Sequence, residues 1–146
     1  MKMTEFFLEE LDREVERSRG ALEQVPDGKY QWKPHDKSMI FGYLADMVAT
    51  MPSWIGMAIT RDELDIAPTD GSTMKQEPKE TNDEFLGTNW RLLAAGNVVQ
   101  QAPRHEMIRD AINHWAHHRG QMTVYLRLMG AKVPALYGPS ADDKRF

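Results

Sequence analysis

Four of the five histidines in this 146-residue chain fall between positions 105 and 118. Two of them, His114 and His118, are four residues apart. On a helix that spacing leaves the two side chains about 40° apart around the axis. Both imidazoles can then converge on one point, which is how two histidines on one helix bind a metal. Steps of three and four residues from Met107 and Ala111 lead through His114 and His118 to Gln121, Met122 and Tyr125. That stripe places the pair on the core face. A single inward histidine is most often a core residue with a hydrogen-bond partner. Two together must satisfy the polar nitrogens of both rings. Spacing alone leaves metal ligation and simple burial as equal readings. His117 lies about 100° from His118 and is read as exposed or hydrogen-bonded to another helix.

A catalytic divalent metal needs about three protein ligands and an open position. The third ligand is expected from a facing helix, and the second helix is its natural source. The core face there offers Met47 and Met51, whose thioethers suit zinc, nickel or manganese poorly. Asp46 lies one position off that face, and His35 sits in the preceding connector. Other chemistry is poorly supplied. There is no cysteine, so neither a disulfide nor a protein thiol nucleophile exists. The serines lack the glycines of a nucleophile elbow. No glycine-rich phosphate loop is present. The ten methionines read as pliable core filler.

The elements that must carry these residues read as helices. Residues 4 to 25 repeat Phe7, Leu11, Val15, Leu22 and Val25 at helical spacing, with Glu9, Arg13, Glu16 and Arg17 opposite. Pro26-Asp27-Gly28 stops that helix. After a connector over 29 to 37, Ser38 is the expected N-cap of a second helix over about 39 to 60. Pro52 must kink or split it. A long loop over 62 to 80 follows. Thr81 and Glu84 match a capping box and open a third helix that Gly96-Asn97 ends. A fourth helix starts at Pro103, runs to Met129 and stops at Gly130. The expectation is all-α: a four-helix bundle in one domain, residues 1 to 146, with a long loop between helices two and three and an irregular C-terminal tail.

Composition narrows the function classes. Hydrophobic residues make up 41% and charged residues 27%, values that exclude a disordered chain and a membrane-embedded one. No run approaches the roughly 18 apolar residues of a membrane span. The early Glu5, Glu9 and Glu10 argue against a leader segment, so the expected location is cytoplasmic. A net charge of −4 argues against a non-specific grip on nucleic acid. Arg104, Arg109, Arg119 and Arg127, interrupted by Glu106 and Asp110, read as a solvated helix face.

The segment Asn113-His114-Trp115-Ala116-His117-His118-Arg119-Gly120-Gln121, continuing through Val124-Tyr125-Leu126-Arg127 to Gly130 and Val133-Pro134, resembles the last helix of the DinB-like (YfiT-like) family. Tyr137-Gly138-Pro139-Ser140-Ala141-Asp142 resembles the tail of one branch. Trp32-Lys33-Pro34-His35, Lys37-Ser38-Met39, Leu44-Ala45 and Pro52-Ser53-Trp54 resemble the family's connector and second helix. The resemblance implies a four-helix bundle, a homodimer, and a divalent metal held by three histidines. Two of these map to His114 and His118. The third, from helix two, aligns with Met47, a departure from the pattern. Some members are thiol-dependent transferases or isomerases that use low-molecular-weight thiols. There the metal lowers the thiol pKa, and Arg119, Arg127 or Tyr125 would orient an anionic substrate. Two functional readings follow from the resemblance. One is a metal-dependent enzyme of the thiol-transferase type, taking zinc, nickel or manganese. The other is a metal-depleted, non-catalytic bundle that binds a small molecule or serves as a dimeric interaction module.

Overall fold

The computed structural model describes residues 1–69 and 80–145. Helices form where the amphipathic stretches predict them: α1 (Met3–Leu22), α2 (Phe41–Thr50), α3 (Pro52–Thr60) and α5 (Arg104–Leu128). Pro52 splits the second predicted helix instead of bending it, because it has no amide hydrogen to continue the ladder. The orphaned partner is the carbonyl of Val48, and the indole Nε1 of Trp115 donates to it at 2.7 Å. Ser38 is not the cap of α2. Ile40 holds that position without a side-chain cap. The amides of Phe41 and Gly42 donate instead to the carbonyls of Trp32 and Tyr30, each at 2.8 Å. At the other end of the chain Gly130 terminates the long helix as its position predicts. Its φ of 77° allows Ala131 N–H to reach the Leu126 carbonyl while its own N–H reaches that of Arg127, the paired bonds of a Schellman stop.

The all-α four-helix expectation is wrong between residues 81 and 103. The predicted third helix is a single turn, α4 (Asp83–Leu86), capped by Asn82, whose Oδ1 accepts from Phe85 N–H at 2.9 Å. The chain then forms a hairpin of β2 (Asn89–Ala94) and β3 (Asn97–Pro103). The strand β1 (Glu63–Asp65) pairs parallel to β2, so the sheet is mixed with order β1-β2-β3. Ala95 and Gly96 both have positive φ, 51° and 75°, as a two-residue hairpin turn of matching twist demands. The Gly96 that was read as a helix stop is therefore a hairpin turn. Asp65 clamps the turn by accepting from Ala95 N–H at 3.1 Å and Gly96 N–H at 2.7 Å. Part of the predicted 62–80 loop is thus strand, and residues 70–79 of it lie outside the described residues.

By contact the chain divides into two compact units. The first comprises Met1–Glu9 and Pro52–Ile112 and holds the sheet. Ile55, Ala58, Leu86, Trp90, Met107, Ile108 and Ile112 are its buried apolar residues. Asp83 caps the start of α1, accepting from Met3 N–H at 3.0 Å and Thr4 N–H at 3.1 Å. Arg104, 1% exposed, donates to Thr88 Oγ1, to the carbonyls of Asn89 and Arg61, and pairs with Asp62. The second unit comprises Glu10–Met51 and Asn113–Phe146. Its core joins Ala21, Phe41, Leu44, Ala45, Val48, Met51, Trp115, Met122 and Leu126. The irregular tail is pinned within this unit. Asp142 accepts from Arg127 and from Val133 N–H, and Ser140 Oγ donates to the Val133 carbonyl. Among the described residues no helix is long and apolar enough to cross a membrane.

Candidate metal centre

The second unit buries Trp115, Arg119, Met122 and Leu126 of α5. This line advances by four, three and four residues, the repeat of one helix face. His114 and His118 sit along its edge. His118 is buried, with 7% exposure, whereas His114 is exposed. The predicted inward pair is therefore half inward. The face was read about one residue out of phase, because an arginine occupies the position where an apolar side chain would mark it.

The pair nevertheless converges as its spacing requires. The two Nε2 atoms lie 2.8 Å apart and the ring centroids 4.6 Å apart. His118 Nδ1 lies 2.8 Å from Gln121 Oε1. Facing an amide oxygen, His118 Nδ1 suits the N–H form. In that tautomer His118 presents a bare Nε2, which can accept from His114 Nε2–H. Partial desolvation of its ring, then the neighbouring His118 and His117 charges, hold the His114 pKa below the ordinary histidine value. Lowered basicity favours the neutral imidazole, the form that ligates metals.

The other histidine and carboxylate candidates complete no ligand set with the pair among the described residues. Met47 is half-buried and packs against the second unit's core cluster. Its thioether is a soft ligand, and its burial there is that of a core side chain. Asp46 is exposed. His35 is exposed in the connector and accepts from Lys37 N–H at 3.1 Å. His117 is exposed, and its ring meets that of His118 edge-on at 5.1 Å. Among the described residues no group of three or more His, Cys, Asp or Glu side chains is disposed to hold a metal. The converging donors here are thus the two imidazoles of His114 and His118.

The residues expected to orient a substrate have other commitments. Tyr125 Oη donates to the Met39 carbonyl at 3.1 Å, and Arg127 pairs with Asp142. Arg119, fully buried, pairs with Glu14 and also donates to the Glu14 carbonyl, to Ser18 Oγ at 2.9 Å and to Tyr137 Oη. Arg17 pairs with the other oxygen of Glu14 and lies 4.4 Å over the Tyr137 ring. Arg104 and Arg119, read as part of a solvated stripe, are both buried. Sequence reading missed this ionic network. Its one local signal was Arg119 at helical spacing from Trp115, Met122 and Leu126.

Residues 90–145 match the DinB family. The uncharacterised protein YrdA of Bacillus subtilis (strain 168) is 46% identical over 46 residues. That stretch spans 32% of this chain and only 28% of the relative's length. The fold is similar to that of a DinB-like protein from Bacillus cereus ATCC 10987, with a TM-score of 0.63 at 21% identity, over 91% of this chain and 97% of that one.

Proposed function

From a chain that is DinB-like in fold and in residues 90–145, we propose a divalent-metal-binding protein whose anchor is His114 and His118 and whose chemistry is related to thiol-dependent transfer. The observation that supports this reading is the 2.8 Å approach of the two Nε2 atoms. The approach makes a hydrogen bond between the rings, and the same convergence suits a cation shared by both distal nitrogens. Zinc, nickel or manganese suits imidazole ligation at this site. Bound there, the cation would lower the pKa of a thiol ligand and supply a thiolate at neutral pH. The chain has no cysteine, so that thiol comes from a small molecule. The exposure of His114 leaves the outer side of the pair open to such a ligand.

Met47 favours a second reading. With a thioether where the family resemblance expects imidazole, the protein has lost tight metal binding and acts as a small-molecule-binding or dimeric interaction module. Calorimetric titration with zinc, nickel and manganese separates the two. The protein should carry no histidine tag and be purified without chelators. The metal-binding reading expects one site per chain, lost in His114→Ala. It also expects tighter binding in Met47→His if the position that the family resemblance assigns to the third imidazole faces the pair. Failure of the natural protein to take up any of the three metals would sink it.

A further inference from the structure

Gln121 lies one turn beyond His118 on the exposed side of α5, and its side-chain carbonyl faces the proximal nitrogen of His118 at 2.8 Å. The distal nitrogen of the same ring faces His114 at the same distance. A neutral imidazole has one N–H and one lone pair, so fixing the proton on one nitrogen frees the other. We propose that Gln121 is a positioning residue. It holds His118 in the Nδ1–H tautomer and so presents a bare Nε2 to His114 and to any cation that the pair takes.

Without Gln121, no other acceptor that favours Nδ1–H faces His118 among the described residues. In water the Nε2–H form of an imidazole competes, and in that form the two distal nitrogens could each carry a hydrogen and repel. The partner therefore does more than pack the ring. It decides which atom is a ligand, as outer hydrogen bonds do at metal-bound histidines. The consequence for metal affinity rests on the metal-binding reading above. The tautomer itself does not.

The test reads the protonation of each ring nitrogen by long-range proton–nitrogen NMR of the metal-free protein, at about pH 8, where ordinary histidines are neutral. The natural protein should show His118 protonated at Nδ1 and bare at Nε2. Gln121→Leu should shift His118 towards the Nε2–H form, and Gln121→Glu should restore Nδ1–H because a carboxylate is a stronger acceptor. An Nε2–H His118 in the natural protein overturns the proposal, since it would mean that the amide donates. An unchanged tautomer in Gln121→Leu overturns it as well. In zinc titrations Gln121→Leu should bind about 10–100-fold more weakly than the natural protein, with Gln121→Glu rescuing. Equal zinc affinity despite a shifted tautomer would overturn the link from tautomer to ligand. If the natural protein binds no zinc, the metal-binding reading fails while the NMR result still decides the role of Gln121.

Discussion

Replacing Glu14 by Gln should destabilise the second unit more than a typical polar substitution. The Glu14 side chain is 1% exposed and that of Arg119 is 0% exposed. One carboxylate oxygen accepts from Arg119 and Tyr137, the other from Arg17. Glutamine keeps the shape and one carbonyl acceptor, but it removes the charge and turns the second acceptor into a donor facing Arg17. Arg119 is then a buried cation with no counter-charge, and its Nε already has no hydrogen-bond partner among the described residues. Breaking one side of a buried pair in this way costs about 3–5 kcal/mol. With a urea dependence of about 2 kcal/mol per molar, the midpoint should fall by roughly 2 M.

Two further measurements probe the reasoning. Removing both partners, in Glu14→Leu with Arg119→Met, should cost less than Glu14→Gln alone, because no charge is left buried. The second measurement is acid dependence. Burial pushes the Glu14 carboxyl up, but the hydrogen bond and charge of Arg119, with the hydrogen bonds of Tyr137 and Arg17, hold it below the ordinary carboxylate value. The folded group is thus harder to protonate than the unfolded one. Its contribution is complete above the unfolded pKa and is lost as pH falls through the folded value. The stability gap between the natural protein and Glu14→Gln should therefore narrow in acid. A Glu14→Gln protein within about 1 kcal/mol of the natural one, with a gap that does not change with pH, would refute the ion pair as a desolvated lock.

Two other expectations follow from the geometry. His114 should titrate below the ordinary histidine range when its ring protons are followed by NMR, since partial desolvation first and the His118 and His117 charges next disfavour its cation. The stability it contributes is present above the unfolded pKa and declines as pH falls below it, and a midpoint at or above the ordinary value would contradict this. Trp115→Phe should cost about 1–3 kcal/mol for the unpaired Val48 carbonyl, in addition to lost packing. Pro52→Ala supplies the missing amide, so the same change should cost less in that background; strictly additive effects in urea unfolding would show that the indole bond does not compensate for the proline.

The sequence was most legible where local chemistry and tertiary fate agree. Gly130 had to stop α5 because only a residue tolerant of positive φ closes that helix end, and it does. Pro52 had to interrupt its helix because it has no N–H. His114 and His118 had to converge because spacing fixes angle on a helix. The hairpin was misread where one residue serves two designs. Gly96 at positive φ suits a helix C-terminus and a two-residue turn equally, and only the pairing partner distinguishes them. That partner includes Asp65, 31 residues from Gly96. Val98 and Val99 carry a β signal in β3 that the expected helix opening at Thr81 and Glu84 leaves out of account. The true cap, Asn82, supports one turn, after which Gly87 and Thr88 leave the helix.

The phase error on α5 has the same origin and bears on function. Arginine at position 119 reads as surface in any local window, because nothing nearby in sequence announces a buried carboxylate 105 residues earlier. Once Glu14 is placed, Arg119 becomes the centre of the buried face, and the histidine before it is carried about 100° to the side. That rotation leaves His118 shielded and His114 exposed. A pair turned fully inward would be closed to a small ligand, and a pair turned fully outward would lose the partial desolvation that lowers the His114 pKa. The ionic lock sets the helix between these limits, so the residues that do no metal chemistry themselves determine how open the candidate metal centre is.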